Sequence, residues 1–165
     1  MQWRMLRRRG SQASWTIVGD PAQSSWPDLG ESEHALTELI GSAPHRSYRL
    51  STNYRSPAEV FRLAADVVRR DYPQADLPQA VRSTGVEPLL LTSSGPALAD
   101  LLDEVVADLA GQVEGTIGVI APPSRLSGLA TADLAGVAPH SQRVTFVSPL
   151  NAKGLEFDAV VVVAP

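Results

Sequence analysis

The segment Pro96-Ala97-Leu98-Ala99-Asp100-Leu101-Leu102-Asp103-Glu104-Val105-Val106-Ala107-Asp108-Leu109, followed closely by Gly115-Thr116-Ile117-Gly118-Val119-Ile120-Ala121, decides the fold class. In the first stretch Leu98, Leu101, Leu102, Val105 and Leu109 recur as one stripe, which predicts an amphipathic helix opened by Pro96. The second stretch is too short for a helix of its own and reads as a buried strand. The same alternation continues on both sides. Downstream, Pro122–Val137 is a looser Gly/Ala-rich helical stretch, Arg143–Val147 a strand and Asp158–Ala164 a last strand rich in valine. Upstream, Pro88–Thr92 reads as a buried strand and Tyr48–Thr52 as another. Between them Ser56 can cap a helix with Pro57 at its first position and Glu59 completing a capping box. Val60, Phe61, Ala64, Val67 and Val68 carry that helix to about Arg70. Glu31–Ile40 is a shorter helix closed by Gly41. Trp15–Val18 is a β-rich run stopped by Gly19-Asp20-Pro21, and Trp3–Arg8 is the end of an amphipathic helix. Strands alternating with helices predict an α/β fold on a parallel sheet, and all-apolar strands predict that helices cover both its faces.

Composition narrows the class. The chain has 165 residues, 44% of them apolar, enough for a core of its own. It contains no cysteine, which excludes disulfides, thiolate metal sites and a cysteine nucleophile. Its longest apolar run, 159–165, is far too short to span a bilayer, and no apolar stretch follows the arginines of Met1–Arg9 to make a signal peptide. A soluble, cytoplasmic protein without membrane partners is the expectation. The net charge of −4 is unevenly divided: residues 1–82 hold 11 arginines against 9 acids, and residues 83–165 hold 3 basic residues against 9 acids. That split argues against a general basic coat for nucleic acid, while a local phosphate patch in the first half remains open. Lys153 is the single lysine among 14 basic residues.

Three stretches carry polar residues suited to chemistry. Thr16–Trp26 ends a strand in Gly19-Asp20, the edge at which α/β sheets bind ligands, with Gln23 placed to touch a phosphate or an attacking water. Trp26 offers a stacking face for a base; the plain alternative is a strand, a turn and a core tryptophan. In Leu50-Ser51-Thr52-Asn53-Tyr54-Arg55-Ser56-Pro57 a tyrosine and an arginine stand directly before a helix N-terminus, where anions are favoured. Arg55 can stabilise charge on a phosphoryl group and Tyr54 can stack on a purine, or the two are an ordinary surface pair. In Asn151-Ala152-Lys153-Gly154-Leu155-Glu156-Phe157-Asp158 a lone lysine, glycine and glutamate precede a strand. Glu156 can accept a ribose hydroxyl and Lys153 can contact phosphate or DNA backbone; a solvated Lys-Glu turn is the alternative.

Taken together and in this order, the three stretches resemble motifs III, IV and V of the UvrD/Rep-type superfamily I helicases. Gly19–Trp26 matches Gly-Asp-x-x-Gln-Ser-x-aromatic with tryptophan where tyrosine is usual, Leu50–Ser56 matches Leu-x-x-Asn-Tyr-Arg-Ser, and Lys153–Val163 matches Lys-Gly-Leu-Glu-Phe-Asp followed by valines. The resemblance implies two RecA-like lobes that close and open on ATP and Mg²⁺. Gln23 would sense the γ-phosphate, Trp26 would stack on a base, and Tyr54 would pack on adenine. Arg55 would be the arginine finger, a role worth about a thousandfold or more in rate. Glu156 would hold the ribose, Lys153 and Gly154 would shape the same turn, and Asp20 would support the site. On this reading residues 1–29 are the C-terminal edge of the first lobe, and residues 30–165 are the second lobe, incomplete at its end.

The departures from the family pattern are specific. No Gly-x-x-x-x-Gly-Lys-Ser/Thr loop occurs, no Asp-Glu pair precedes Gly19, and no motif VI follows Val163. The one Asp-Glu pair, Asp103-Glu104, falls inside a predicted helix. Without a cradle for the β- and γ-phosphates the chain alone is expected neither to hydrolyse ATP nor to bind it tightly. Both ends read as cut, and the partner expected is the missing first RecA-like lobe. Leu150 stands where the family often has histidine. About a hundred residues separate Arg55 from Lys153, too few for the helical insertion of UvrD and Rep. That compactness suits the HelD-type branch, which acts on RNA polymerase, against an ordinary helicase acting on single-stranded DNA. Two rivals stand beside these: a non-catalytic truncated lobe that at most binds a partner, and a different Rossmann-like nucleotide binder, which would need a glycine-rich strand-to-helix loop.

Overall fold

The computed structural model describes residues 14–19, 29–42, 44–93 and 97–164. They divide into two units, Met1–Leu89 and Leu90–Pro165. The expected boundary at Leu29 borders residues 20–28, and the expected first helix falls in residues 1–13; both stretches lie outside the described residues.

In the first unit, α1 (Leu29–Ile40) ends where Gly41 donates its N–H to the Thr37 carbonyl at 2.9 Å. The predicted strand at Tyr48–Thr52 shrinks to β1 (Thr52–Asn53), which runs parallel to β2 (Gln79–Ala80). Between them lies α2 (Ala58–Asp71), ending within a residue of its predicted stop. Its start differs from the expected capping box: Pro57 is the cap residue and no side chain caps the helix. The reason is local. A capping box needs the Ser56 N–H free for Glu59, but the Asn53 side chain already accepts that N–H at 3.1 Å. The runs at Trp15–Val18 and Pro88–Thr92 are irregular rather than strands, and Val18, Leu89 and Leu90 are exposed. Their composition suits a strand, but a strand exists only where a neighbour accepts its ladder of hydrogen bonds. Neither run has such a ladder among the described residues.

The second unit follows its sequence closely. Helix α3 (Ala97–Gln112) leads to β3 (Ile117–Ile120), α4 (Pro123–Thr131), a 3-10 turn (Ala138–His140), β4 (Val144–Val147), a one-turn helix α5 (Pro149–Ala152) and β5 (Ala159–Val162). The three strands form a parallel sheet in the order β4-β3-β5. The register sets Val119 beside Phe146 and Val161 on one face, and Gly118 beside Thr145 and Val160 on the other. The first face packs under Leu102 and Val106 of α3 and Leu129 of α4, with Leu134 and Val137 closing the core. The buried side of α3 runs Leu102, Val106, Ala110, displaced by about one residue from the predicted stripe. Two backbone clasps hold this layer. The Asp103 carboxylate accepts the Gly136 and Val137 N–H groups at 2.8 and 3.0 Å. The Arg143 guanidinium donates to the Gly115 carbonyl at 2.9 Å and to that of Val113, placing a cation at the C-terminus of α3.

Among the described residues of this unit no helix covers the second face, contrary to expectation, and Val160 and Val162 are 46% and 70% exposed. The topology explains the asymmetry. Helix α4 carries the chain from β3 to β4 on the first face, so the return from β4 past β3 to β5 is right-handed only on the second. That return is a short segment, residues 148–158, and not a full helix. It covers little more than Gly118. No helix of the described residues is long and apolar enough to cross a membrane.

Candidate functional site

Two of the three polar stretches can be built residue by residue; Asp20, Gln23 and Trp26 of the remaining one lie outside the described residues. In the first unit the turn begins at Asn53. Its side-chain oxygen accepts the N–H of Arg55 at 3.0 Å and of Ser56 at 3.1 Å, an Asx turn that fixes the backbone between β1 and α2. The arrangement leaves Tyr54 73% exposed and Arg55 exposed immediately ahead of a helix of 14 residues. An aromatic face and a guanidinium therefore share one rigid turn.

That turn is tied to β2 and the loop behind it. Gln79 N–H donates to the Ser51 carbonyl at 2.8 Å, Val81 N–H to Asn53 at 3.1 Å and Ala58 N–H to Arg82 at 2.7 Å. Glu59 completes the tie. Only 7% exposed, its carboxylate accepts the Ser83 hydroxyl at 2.5 Å, the Gly85 N–H at 2.8 Å and the Thr84 N–H at 3.4 Å. The Ser83 hydroxyl foremost, then the backbone N–H groups of Glu59 itself and Gly85, hold its pKa down from 4.5 to about 2, with desolvation opposing them. Glu59 reads in the sequence only as a capping residue; its partners lie 24 to 26 residues away, and no local pattern announces them. Asn53, four residues before Pro57, carried a local signal that could have been read, because an asparagine side chain commonly closes an Asx turn onto the backbone that follows it.

In the second unit the stretch 148–158 leaves the carboxyl end of β4. Adjacent strands β3 and β4 send their outgoing connections to opposite faces, so their ends, at Ala121-Pro122 and Ser148-Pro149, border a topological switch point of the kind at which open α/β sheets bind ligands. Ser148 is buried and its hydroxyl accepts the Asn151 N–H at 3.3 Å, capping α5. Lys153 then has φ −60 and ψ 120, Gly154 has φ +85, and the Leu155 N–H donates to the Ala152 carbonyl at 3.0 Å. These are the marks of a type II turn with glycine at its third position, the reason the Lys-Gly pair stands there. Lys153, Gly154 and Glu156 are all exposed.

The next two residues anchor the turn. A Cβ on Gly118 would lie 2.6–2.8 Å from the ring of Phe157, so the ring packs directly on the bare backbone of β3. Asp158 accepts the Thr116 N–H at 2.8 Å and its hydroxyl at 3.3 Å, pinning the start of β5 to the start of β3. Phe157 and Asp158 thus serve the fold, while the exposed residues before them are presented to solvent. The Asp103 carboxylate is engaged with the backbone of the Gly136 loop. Among the described residues, no group of three or more His, Asp or Glu is placed to hold a metal ion. A cleft of about 340 Å³ between α4 and β4, lined by residues such as Leu129, Leu134, Val137 and Phe146, includes none of the residues singled out from the sequence.

Compared with known protein families and with curated proteins, the chain matches no family model and no individual sequence.

Proposed function

We propose that this chain contributes half of an ATP site to a UvrD-like motor acting on DNA or on RNA polymerase, the phosphate loop being supplied from outside these residues. Residues up to about Leu29 form the trailing edge of a first RecA-like lobe, and residues 30–165 belong to the second. The observation that carries this reading is the Asn53 turn, which holds Tyr54 and Arg55 outward on one rigid backbone ahead of α2. That is the arrangement needed for an aromatic stack on a base and a cation on a phosphoryl group. The turn at Lys153–Gly154 presents Glu156 as an acceptor for a ribose hydroxyl. Taken separately, each turn fits one part of a nucleotide in donor or acceptor chemistry, and neither provides the backbone cradle that β- and γ-phosphates require. When bound, ATP with Mg²⁺ supplies the phosphoryl chemistry. The part of the Tyr54–Arg55 turn is to orient the base and to place positive charge through Arg55. Gln23 and Trp26 extend the same reading to coupling with a strand of nucleic acid.

Two measurements test it. The chain alone shows no ATP turnover above a blank, and clear turnover lost in Arg55→Ala would overturn the half-site reading. In the assembled two-lobe ATPase, Arg55→Ala lowers kcat by about a thousandfold while the KM for ATP changes much less. An unchanged kcat would refute the role.

A further inference from the structure

The Tyr54–Arg55 turn is not held by its own residues alone. Immediately behind it, the second residue of α2 reaches across to a loop that is remote in sequence. Glu59 is buried, yet it is an acid at the first turn of a helix whose N-terminus it does not cap. All three of its external donors come from Ser83, Thr84 and Gly85. The preceding residue of that loop, Arg82, accepts the Ala58 N–H at 2.7 Å, so loop and helix are joined by backbone as well as by side chain. Two residues further back, β2 pairs with β1, which ends at Asn53. The turn bearing Tyr54 and Arg55 therefore sits inside a closed loop of hydrogen bonds running from Asn53 through β2 and Ser83–Gly85 to Glu59 and the start of α2. Three N–H or O–H donors converging on one carboxylate make a strong and directional closure.

We propose that Glu59 is a positioning residue of the nucleotide site, acting through Arg55: its latch on Ser83–Gly85 fixes the N-terminus of α2 and so the direction in which the Tyr54–Arg55 turn projects. The inference rests on the ATP reading given above, and it adds residues that no motif marks. Glu59 and Ser83 touch no nucleotide themselves. Their loss lets Tyr54 and Arg55 wander together; an aromatic stack tolerates such displacement better than a cation that must meet a phosphoryl group, so rate falls more than affinity. Misplacement of a catalytic group by about 1 Å is worth up to a hundredfold in rate.

The test has a nucleotide-free arm and a turnover arm. In the 165-residue chain, amide hydrogen exchange is followed in Glu59→Gln and, should that variant fold poorly, in Ser83→Ala. Exchange at Arg55 and Ser56 rises about tenfold, more than in the middle of α2, while Ile117–Ile120 of the second unit stays at the wild-type rate. A uniform rise throughout the first unit, or a rise confined to Thr84 and Gly85, would overturn the latch as a positioning device. In the assembled ATPase, Ser83→Ala lowers kcat about tenfold or more with KM for ATP little changed. If Arg55→Ala cripples turnover while Ser83→Ala and Glu59→Gln do not, the positioning role is wrong and the ATP reading stands. If Arg55→Ala is also without effect, the ATP reading falls and the inference with it.

Discussion

Replacing Gly118 by alanine examines the junction at which the 148–158 segment rests on the sheet. The new methyl would meet the Phe157 ring at Cδ2, Cε2 and Cγ, 2.6, 2.7 and 2.8 Å away. Ring rotation alone cannot relieve the clash, because Cγ lies on the rotation axis; the ring must swing from its root. Asp158, bonded to Thr116, limits how far the backbone beside it can follow. Overpacking of this kind costs about 1–3 kcal/mol. A lower entropy of the unfolded chain returns about 0.4–1 kcal/mol of that, leaving a net loss near 1–2 kcal/mol. For a unit the size of Leu90–Pro165 each kcal/mol lowers Tm by about 4–8 °C. Urea denaturation of wild type, Gly118→Ala, Phe157→Ala and the double variant gives the coupling. The double variant should be more stable than the sum of the two single losses predicts, by about 0.5–3 kcal/mol. A neutral Gly118→Ala, or strictly additive losses, would show that the ring does not rest on β3.

Two further perturbations follow from the site residues. Glu59 has a folded pKa of about 2, below its ordinary 4.5, so its contribution to stability is complete above about pH 4.5 and is lost as the pH falls towards 2. Glu59→Gln should flatten the dependence of the first unit's melting on pH across that window, and a slope identical to wild type would contradict the burial of an ionised carboxylate there. Gly154→Ala forces an alanine to φ +85 and should destabilise the second unit by about 1–2 kcal/mol. Gly154→Asn, which tolerates that region better, should lose less, and equal losses would argue against a backbone cause.

What the sequence made legible was local. The helix stripe at Leu98–Leu109, the apolar strands at Ile117, Val144 and Ala159 and the glycine stop at Gly41 all act through neighbours within a few residues, and each element formed near its predicted bounds. The parallel sheet followed from their alternation. Pairing was not legible. Trp15–Val18 and Pro88–Thr92 have strand composition, but composition does not name a partner, and without one an apolar run remains irregular and exposed. The open second face has the same origin, since the length of the β4–β5 return, and not the valines of β5, decides what covers it. In the candidate turns Tyr54, Arg55, Lys153 and Glu156 are exposed, as both the motif reading and an ordinary surface turn expect. The residues holding those turns escaped notice because they act at a distance: Glu59 on Ser83 and Gly85, Asp158 on Thr116, Phe157 on Gly118.

The same long-range bonds bear on the partner. The second half of the chain carries 9 acids against 3 basic residues, which by count alone suits a protein partner as well as DNA. Count is not surface charge, however. Asp103 accepts backbone N–H groups of Gly136 and Val137, Asp158 that of Thr116, and Asp108 the Gln112 side chain. The position of an acid so committed is set by the fold, and its lone pairs are partly used. The acidity of this half is thus partly a by-product of closing loops onto α3 and β3. In the first half, Arg49, Arg62 and Arg69 are paired with Asp76, Glu87 and Asp66. Pairs so exposed are screened by solvent and contribute little to stability. With charge weakened as a guide to the partner, the choice of a polymerase-directed motor over a DNA helicase in the function proposed above leans on the spacing from Arg55 to Lys153 alone. Affinity for single-stranded DNA falling steeply with salt in the assembled two-lobe protein would reverse that choice, because such a slope counts the phosphates the protein contacts.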